Sequence, residues 1–171
     1  TYNLNKKDIL KDFDHNHIFL VNGNLHSSNF EFEDKHKIKI NSYDGSTNFQ
    51  LNQNPLVCLN HALAANGYSL EVDKNYKFKK VLVIYNIFTN VIKNKILNSK
   101  NEIKIRENSE LHLLEYTINE SKFKFINNVY ENIILEKNSK LKSLHIQKNK
   151  NDGIFHKFLK SNLFSKSEYT N

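Results

Sequence analysis

Methionine and tryptophan are absent from the 171 residues, and cysteine, proline and arginine occur once each, as Cys58, Pro55 and Arg106. A single cysteine excludes a disulfide framework within the chain and a zinc site built mainly on thiolates, and makes a reducing compartment the default. The longest aliphatic and aromatic run is Val81-Leu82-Val83-Ile84-Tyr85. A membrane-spanning helix needs about 20 apolar residues, so no such span is expected. No apolar stretch follows the polar start, so no secretory signal is expected from these residues. With one arginine among 25 basic residues, sequence-specific nucleic-acid recognition lacks its usual bidentate donor. The four glycines, Gly23, Gly45, Gly67 and Gly153, are too scattered to cradle phosphate. No Walker-type loop, GxSxG, GxGxxG or CxxC occurs. The missing methionine, and an end at Ser167 to Asn171 that reads like the middle of a strand, give the expectation of a fragment.

What is present is lysine and asparagine. The chain holds 24 Lys and 28 Asn, with a net charge of +7 and 39% hydrophobic residues. The mean hydropathy is −0.63. This is a globular composition on the polar side of average. An AT-rich coding sequence yields the same bias, which tempers any partner argument built on charge alone. The charge is also uneven. Residues 1–66 carry six basic and seven acidic groups, whereas residues 67–171 carry 19 and 11. A boundary is therefore placed at Gly67, between an N-terminal region (1–67) and a second part (68–171).

The N-terminal region mixes periods. Residues 1–13 read as the end of a helix, and Ile18 to Val21 as a short strand followed by an Asn22-Gly23 turn. Phe30 to Glu33 and Lys37 to Ile40 alternate with period two, as a hairpin or two adjacent short strands with one wet face would. Pro55 opens a helix over about 55–66, with Leu56, Leu59 and Leu63 on one face and Gly67 as its stop. Its nearly all-round apolar character predicts cover on more than one side.

From residue 68 short alternating segments take over, and they repeat. Ile103 to Leu111 matches Ile133 to Leu141 at an offset of 30, and Leu70 to Phe78 is a weaker copy about 33 residues earlier. Each copy is a strand, two polar residues, Asn at a corner, then a strand. Asn tolerates the left-handed backbone of a sharp corner. Units that cannot bury their own apolar side do so by stacking, which is the logic of a β-solenoid. On periodicity alone a β-sandwich with similar turns stays open.

Candidate chemistry is sparse. Cys58 lies among Val57, Leu59, Ala62 and Ala65, so a buried, inert thiol is expected rather than a sulfur acceptor. His15 and His17 would face the same way on a strand, but no third ligand follows at a metal-site spacing. Glu115 and His145 occupy one column of the repeat, which predicts an exposed charge pair. Glutamates alternate with lysines, and Asp73 and Asp152 are the aspartates after residue 67, so no paired-carboxylate site is read. No catalytic, cofactor-binding or metal-binding residue is assigned.

At the helix-to-strand junction, Leu59-Asn60-His61-Ala62 through Asn66-Gly67 to Val72 resembles the "LN-x-A-x-x-x-(D/N)-G-x-x-(I/L)-x-V" segment of the SufB/SufD family of iron–sulfur cluster assembly proteins. Four further stretches follow the family order. Ile18 to Gly23 is similar to its "(V/F)FV(D/N)G". Glu107 to Glu115 is similar to "EGA-x-(A/L)-x-(V/L)-(V/L)-E", with Asn108-Ser109 and Asn138-Ser139 replacing the corner glycine and alanine. Phe125 through Leu141 resembles a segment opening "(F)-x-N-x-V", and Phe155-His156 the "F-H" beyond it. The resemblance is SufD-like and runs from about residue 17 to the end. It implies a mainly β fold, a right-handed parallel β-helix preceded by a small α/β N-terminal region. It also implies a non-enzymatic scaffold that binds no cofactor in this segment. The implied partners are a SufB-like paralogue and a SufC-like ABC-type ATPase in a SufBCD-like complex, in cytoplasm or in a plastid or apicoplast stroma. The family's late Cys/His pair and C-terminal helical region have no counterpart here. A nonspecific basic module for nucleic acid or anionic surfaces, and a carbohydrate-active β-solenoid, are the other functional classes.

Overall fold

A computed structural model describes residues 10–45, 54–148 and 153–171. The elements are β1 (Asn16–Val21), β2 (Asn24–Asn29), β3 (Ile38–Ser42), α1 (Pro55–Leu63), β4 (Asn66–Val72), β5 (Leu82–Phe88), β6 (Ile96–Ile105), β7 (Glu110–Asn119), β8 (Phe125–Leu135), β9 (Lys140–Lys148), β10 (Gly153–Leu163) and β11 (Glu168–Thr170). The sheet order is β10-β8-β6-β4-β2-β1-β5-β7-β9-β11, with β3 beside β4. Two parallel stacks result: β4, β6, β8 and β10 form one, and β1, β5, β7, β9 and β11 the other. The chain alternates between them, making a parallel β-solenoid of about three turns. The antiparallel β1–β2 hairpin joins the stacks at the start.

Alternation along each strand decides what is inside. Leu70, Ile103 and Ile133 stand in register on β4, β6 and β8, as do Val72, Ile105 and Leu135. All six are essentially fully buried. Leu82, Ile84, Leu111 and Leu141 meet them from the other stack. Burying each such side chain contributes roughly 1.5–3 kcal/mol. Phe30 and Ile38 close over the interior at the hairpin end.

The corners are the repeat's most regular feature. Asn75, Asn108 and Asn138 have φ of 59°, 57° and 56°. Asn108 Nδ2 donates to Asn75 Oδ1 at 3.0 Å, and Asn138 Nδ2 to Asn108 Oδ1 at 2.9 Å. The fourth corner, Lys166, keeps the same φ of 57° without the amide. The parallel pairing of the expected strands, with Asn108 and Asn138 at equivalent corners, decides for the solenoid over the sandwich.

Several N-terminal expectations are corrected. The helix ends at Leu63, and Asn66-Gly67 begins β4. A Cβ on Gly67, at φ +129°, would lie 1.8 Å from Lys100 O, so the glycine serves close strand approach rather than a helix stop. The helix buries Val57 and Asn60, and Leu56 and Leu63 are exposed, so it is covered on one side. Phe30 to Glu33 is not a strand, because the Glu33 carboxylate is captured from four sides. It accepts from Asn16 Nδ2 at 2.8 Å, Tyr76 Oη at 2.7 Å, and the backbone N–H groups of Lys79 and Lys80, each at 3.0 Å at its nearest. Of the helix expected over residues 1–13, residues 1–9 lie outside the described residues, and Leu10 to Phe13 are not helical.

Candidate functional site

Three places gather polar side chains. The first is the seam between α1 and the solenoid. Asn60, 1% exposed, donates from Nδ2 to Ser99 O at 2.9 Å and to Asn128 O at 2.8 Å, bridging β6 and β8. Asn128 answers, donating to Leu56 O at 2.9 Å and to Asn98 Oδ1 at 2.8 Å. His156 Nδ1 donates to Asn128 Oδ1 at 2.9 Å, which brings in β10. A period-two or heptad reading would place apolar residues here. Asparagines do the work because adjacent coils present carbonyls that the helix must satisfy.

The second place is a groove of about 810 Å³ on the outer face of the β4-β6-β8-β10 stack, bounded by α1 and by Tyr43 after β3. Tyr130 forms its floor, 4.7 Å from the His61 ring and stacked on Phe158 at 5.5 Å. Lys100 lies 5.8 Å from the centre of the Tyr43 ring. Burial, with Lys100 and Lys160 nearby, pushes the His61 imidazole down from its ordinary value. Glu102, Asn132 and Asn162 add hydrogen-bonding groups, Asn132 donating to Glu102 at 3.1 Å and Asn162 to Asn132 at 3.2 Å. Ring faces and amides at successive coils suit a polar, extended ligand.

The third place is inside. Lys157 Nζ reaches Glu115 Oε1 at 2.6 Å and Glu131 Oε2 at 2.7 Å. Both carboxylates are buried. Glu115 and His145 are in register, as the repeat predicts, but Glu115 pairs with Lys157 in the interior rather than with His145 on the surface. His145 Nε2 lies 3.3 Å from Thr117 Oγ1. The sequence reading missed Glu131 and Lys157. The signal was available: Glu131 precedes Ile133 and Leu135 by even steps, and Lys157 precedes Leu159 by two, so period two points both inward.

The remaining candidates separate. Cys58 is partly exposed on α1, which corrects the expected burial, and it does not line the groove. His15 and His17 do face the same way, with rings 6.2 Å apart. His15 Nδ1 donates to Phe13 O at 2.9 Å, and its Nε2 takes the Tyr85 hydroxyl at 2.8 Å, so both ring nitrogens are engaged. Among the described residues, no three His, Cys, Asp or Glu side chains converge as a metal ion would need. Arg106, just after β6, binds Glu71 of β4 at 2.6 Å. No helix of the described residues is long and apolar enough to cross a membrane. Neither a protein-family model nor a curated protein matches the chain.

Proposed function

We propose that the chain is a non-catalytic scaffold subunit of an iron–sulfur cluster assembly complex, SufD-like in character. It would pair with a SufB-like paralogue and a SufC-like ABC-type ATPase. The observation that carries this reading is the convergence of distant family-like segments on one node. Asn60, in the Leu59–Val72 stretch, and His156, in the Phe155-His156 pair, both bond to Asn128, which lies within the Phe125–Leu141 stretch. Gly67 of the first stretch allows β4 to lie against β6. The resembling residues are thus those that fasten helix to coil and coil to coil. In this reading the chain supplies a rigid body, and cluster and sulfur chemistry belongs to the partners. Co-expression with a SufB-like and a SufC-like protein of the same genome tests it. A stable complex on size exclusion that needs all three chains is expected. A SufB-like and SufC-like pair that assembles equally well without this chain argues against it.

A carbohydrate-binding solenoid is the second reading, favoured by the Tyr130 floor and amide rungs of the outer groove. Oligosaccharide binding lost on Tyr130→Ala, with unchanged thermal stability, would select it.

A further inference from the structure

Beside its apolar rows, the inward face of the solenoid carries three charged groups on the later coils. Glu131 on β8 is 1% exposed and Glu115 on β7 8% exposed. Lys157 on β10 serves both. Lys157, its side chain 26% exposed, and Glu115 border a cavity of about 180 Å³ between β7, β9, β10 and β11, but the Glu131 side chain is only 2% exposed. Two carboxylates against one ammonium would leave a net negative charge with Glu131 enclosed, an arrangement that burial opposes. The hydrogen bonds point the same way. Glu131 Oε1 is buried and accepts from no described residue. The paired position on the neighbouring strand is Asn101, on the same strand face as Ile103, and its Oδ1 is also buried without a partner. Two acceptor oxygens that lack a donor therefore occupy paired positions on neighbouring strands, and with the Asn101 amide in this orientation a proton on Glu131 supplies the missing donor.

We propose that Glu131 is a proton-binding site inside the solenoid, holding a proton on Oε1 directed at Asn101 Oδ1 while Lys157 stays paired with Glu115. The proton comes from solvent on folding, and no bond other than O–H is made. The other titratable groups around the cluster do not supply the missing charge. Tyr68 on β4 is held protonated by burial and by both glutamates. Tyr169 on β11 is raised chiefly by burial. His145 on β9 is lowered by burial, with Glu115 raising it and Lys157 lowering it. Lys157 is kept charged by the two glutamates against its own burial. Burial first, and then the Glu115 charge, push the Glu131 carboxyl up from 4.5 to about 7 against the pull of Lys157.

The sign of the effect follows. The folded state holds this proton more tightly than the unfolded chain, so folding takes up a proton between these two values. The resulting stability is fully present below the unfolded value and is lost as the pH rises through about 7. Two measurements on the full chain test the site. Infrared difference spectra of the wild type should show a protonated-carboxyl band that disappears near neutral pH and is missing from Glu131→Gln. The melting temperature of wild type should fall from about pH 5 to about pH 8, while Glu131→Gln stays nearly flat and melts higher at the alkaline end. A carboxylate already ionised at about pH 5, a variant as pH-sensitive as wild type, or stability that tracks the identity of added sodium, potassium or ammonium instead of pH would each overturn it. The infrared titration of wild type decides the question even if the variant does not fold.

Discussion

Two buried side chains, Asn60 and Glu33, show how much of this fold rests on polar residues that bond across distant segments. Asn60 closes two carbonyls of adjacent coils, and Asn128 closes the helix carbonyl opposite. Replacing Asn60 by Ala leaves those carbonyls buried without donors, at a cost of about 2–3 kcal/mol. Asn128→Ala should cost a similar amount. The double variant should lose clearly less than the sum, because both act on one network. Urea titrations of the four proteins measure this, and strict additivity would show that the two amides work separately. Glu33 acts at the other end of the molecule. Burial opposes its charge, but the hydrogen bonds from Tyr76, Lys79, Asn16 and Lys80 outweigh that and hold its carboxyl below the ordinary 4.5. Its folded value is depressed, so its contribution is present above that ordinary value and is lost as the pH falls through the folded one. Glu33→Gln should therefore cost about 1–3 kcal/mol at neutral pH and flatten the acid limb of the stability profile. Thermal melts between about pH 3 and about pH 7 check both parts.

The corners are the elements where the sequence speaks most directly, and also where it misleads. Asn108-Ser109 and Asn138-Ser139 were legible as equivalent turns because asparagine tolerates positive φ and the flanking strands alternate cleanly. The fourth corner was not legible, since Lys166 adopts the same conformation with no residue preference to announce it. Its register comes instead from β11 pairing with β9 and from Lys140 bonding Glu168 at 2.8 Å. Lys166→Asn should stabilise the protein by about 0.5–1 kcal/mol, by relieving the left-handed strain and extending the amide ladder. Asn108→Ala should do the reverse, costing about 1–2 kcal/mol, whereas Asn108→Gly should recover the backbone part of the loss. Calorimetry on the three variants separates the ladder's share from the conformational share. The helix was legible in existence but not in orientation. Its leucines predicted a buried face, yet Val57 and Asn60 are the buried residues, because the surface beneath them is strand backbone that needs donors. The Phe30–Glu33 alternation read as a strand, since no local pattern reveals that Tyr76, Lys79 and Lys80, more than 40 positions away, capture its last carboxylate.

At the scale of the whole molecule, the two ends differ. At one, the β1–β2 hairpin turns the stacks into each other, and Phe30 and Ile38 lie over the apolar interior. At the other, β10 and β11 are the outermost described strands of the two stacks. Ile154, Leu163 and Phe164, on and just after β10, are 61%, 52% and 58% exposed. A strand edge with apolar flanks invites pairing with another edge. Light scattering over a range of concentrations should show reversible association of this chain that weakens when Leu163 and Phe164 are replaced by Lys. Unchanged association in that variant would move the contact elsewhere. The hairpin gives the stack a direction. β1 and β2 each have a neighbour on both sides, so neither offers an open edge among the described residues. The turn at Asn22-Gly23 thus works as a keystone: the two stacks lean on each other there, and a further parallel strand, from whatever source, can join them beside β10 or β11.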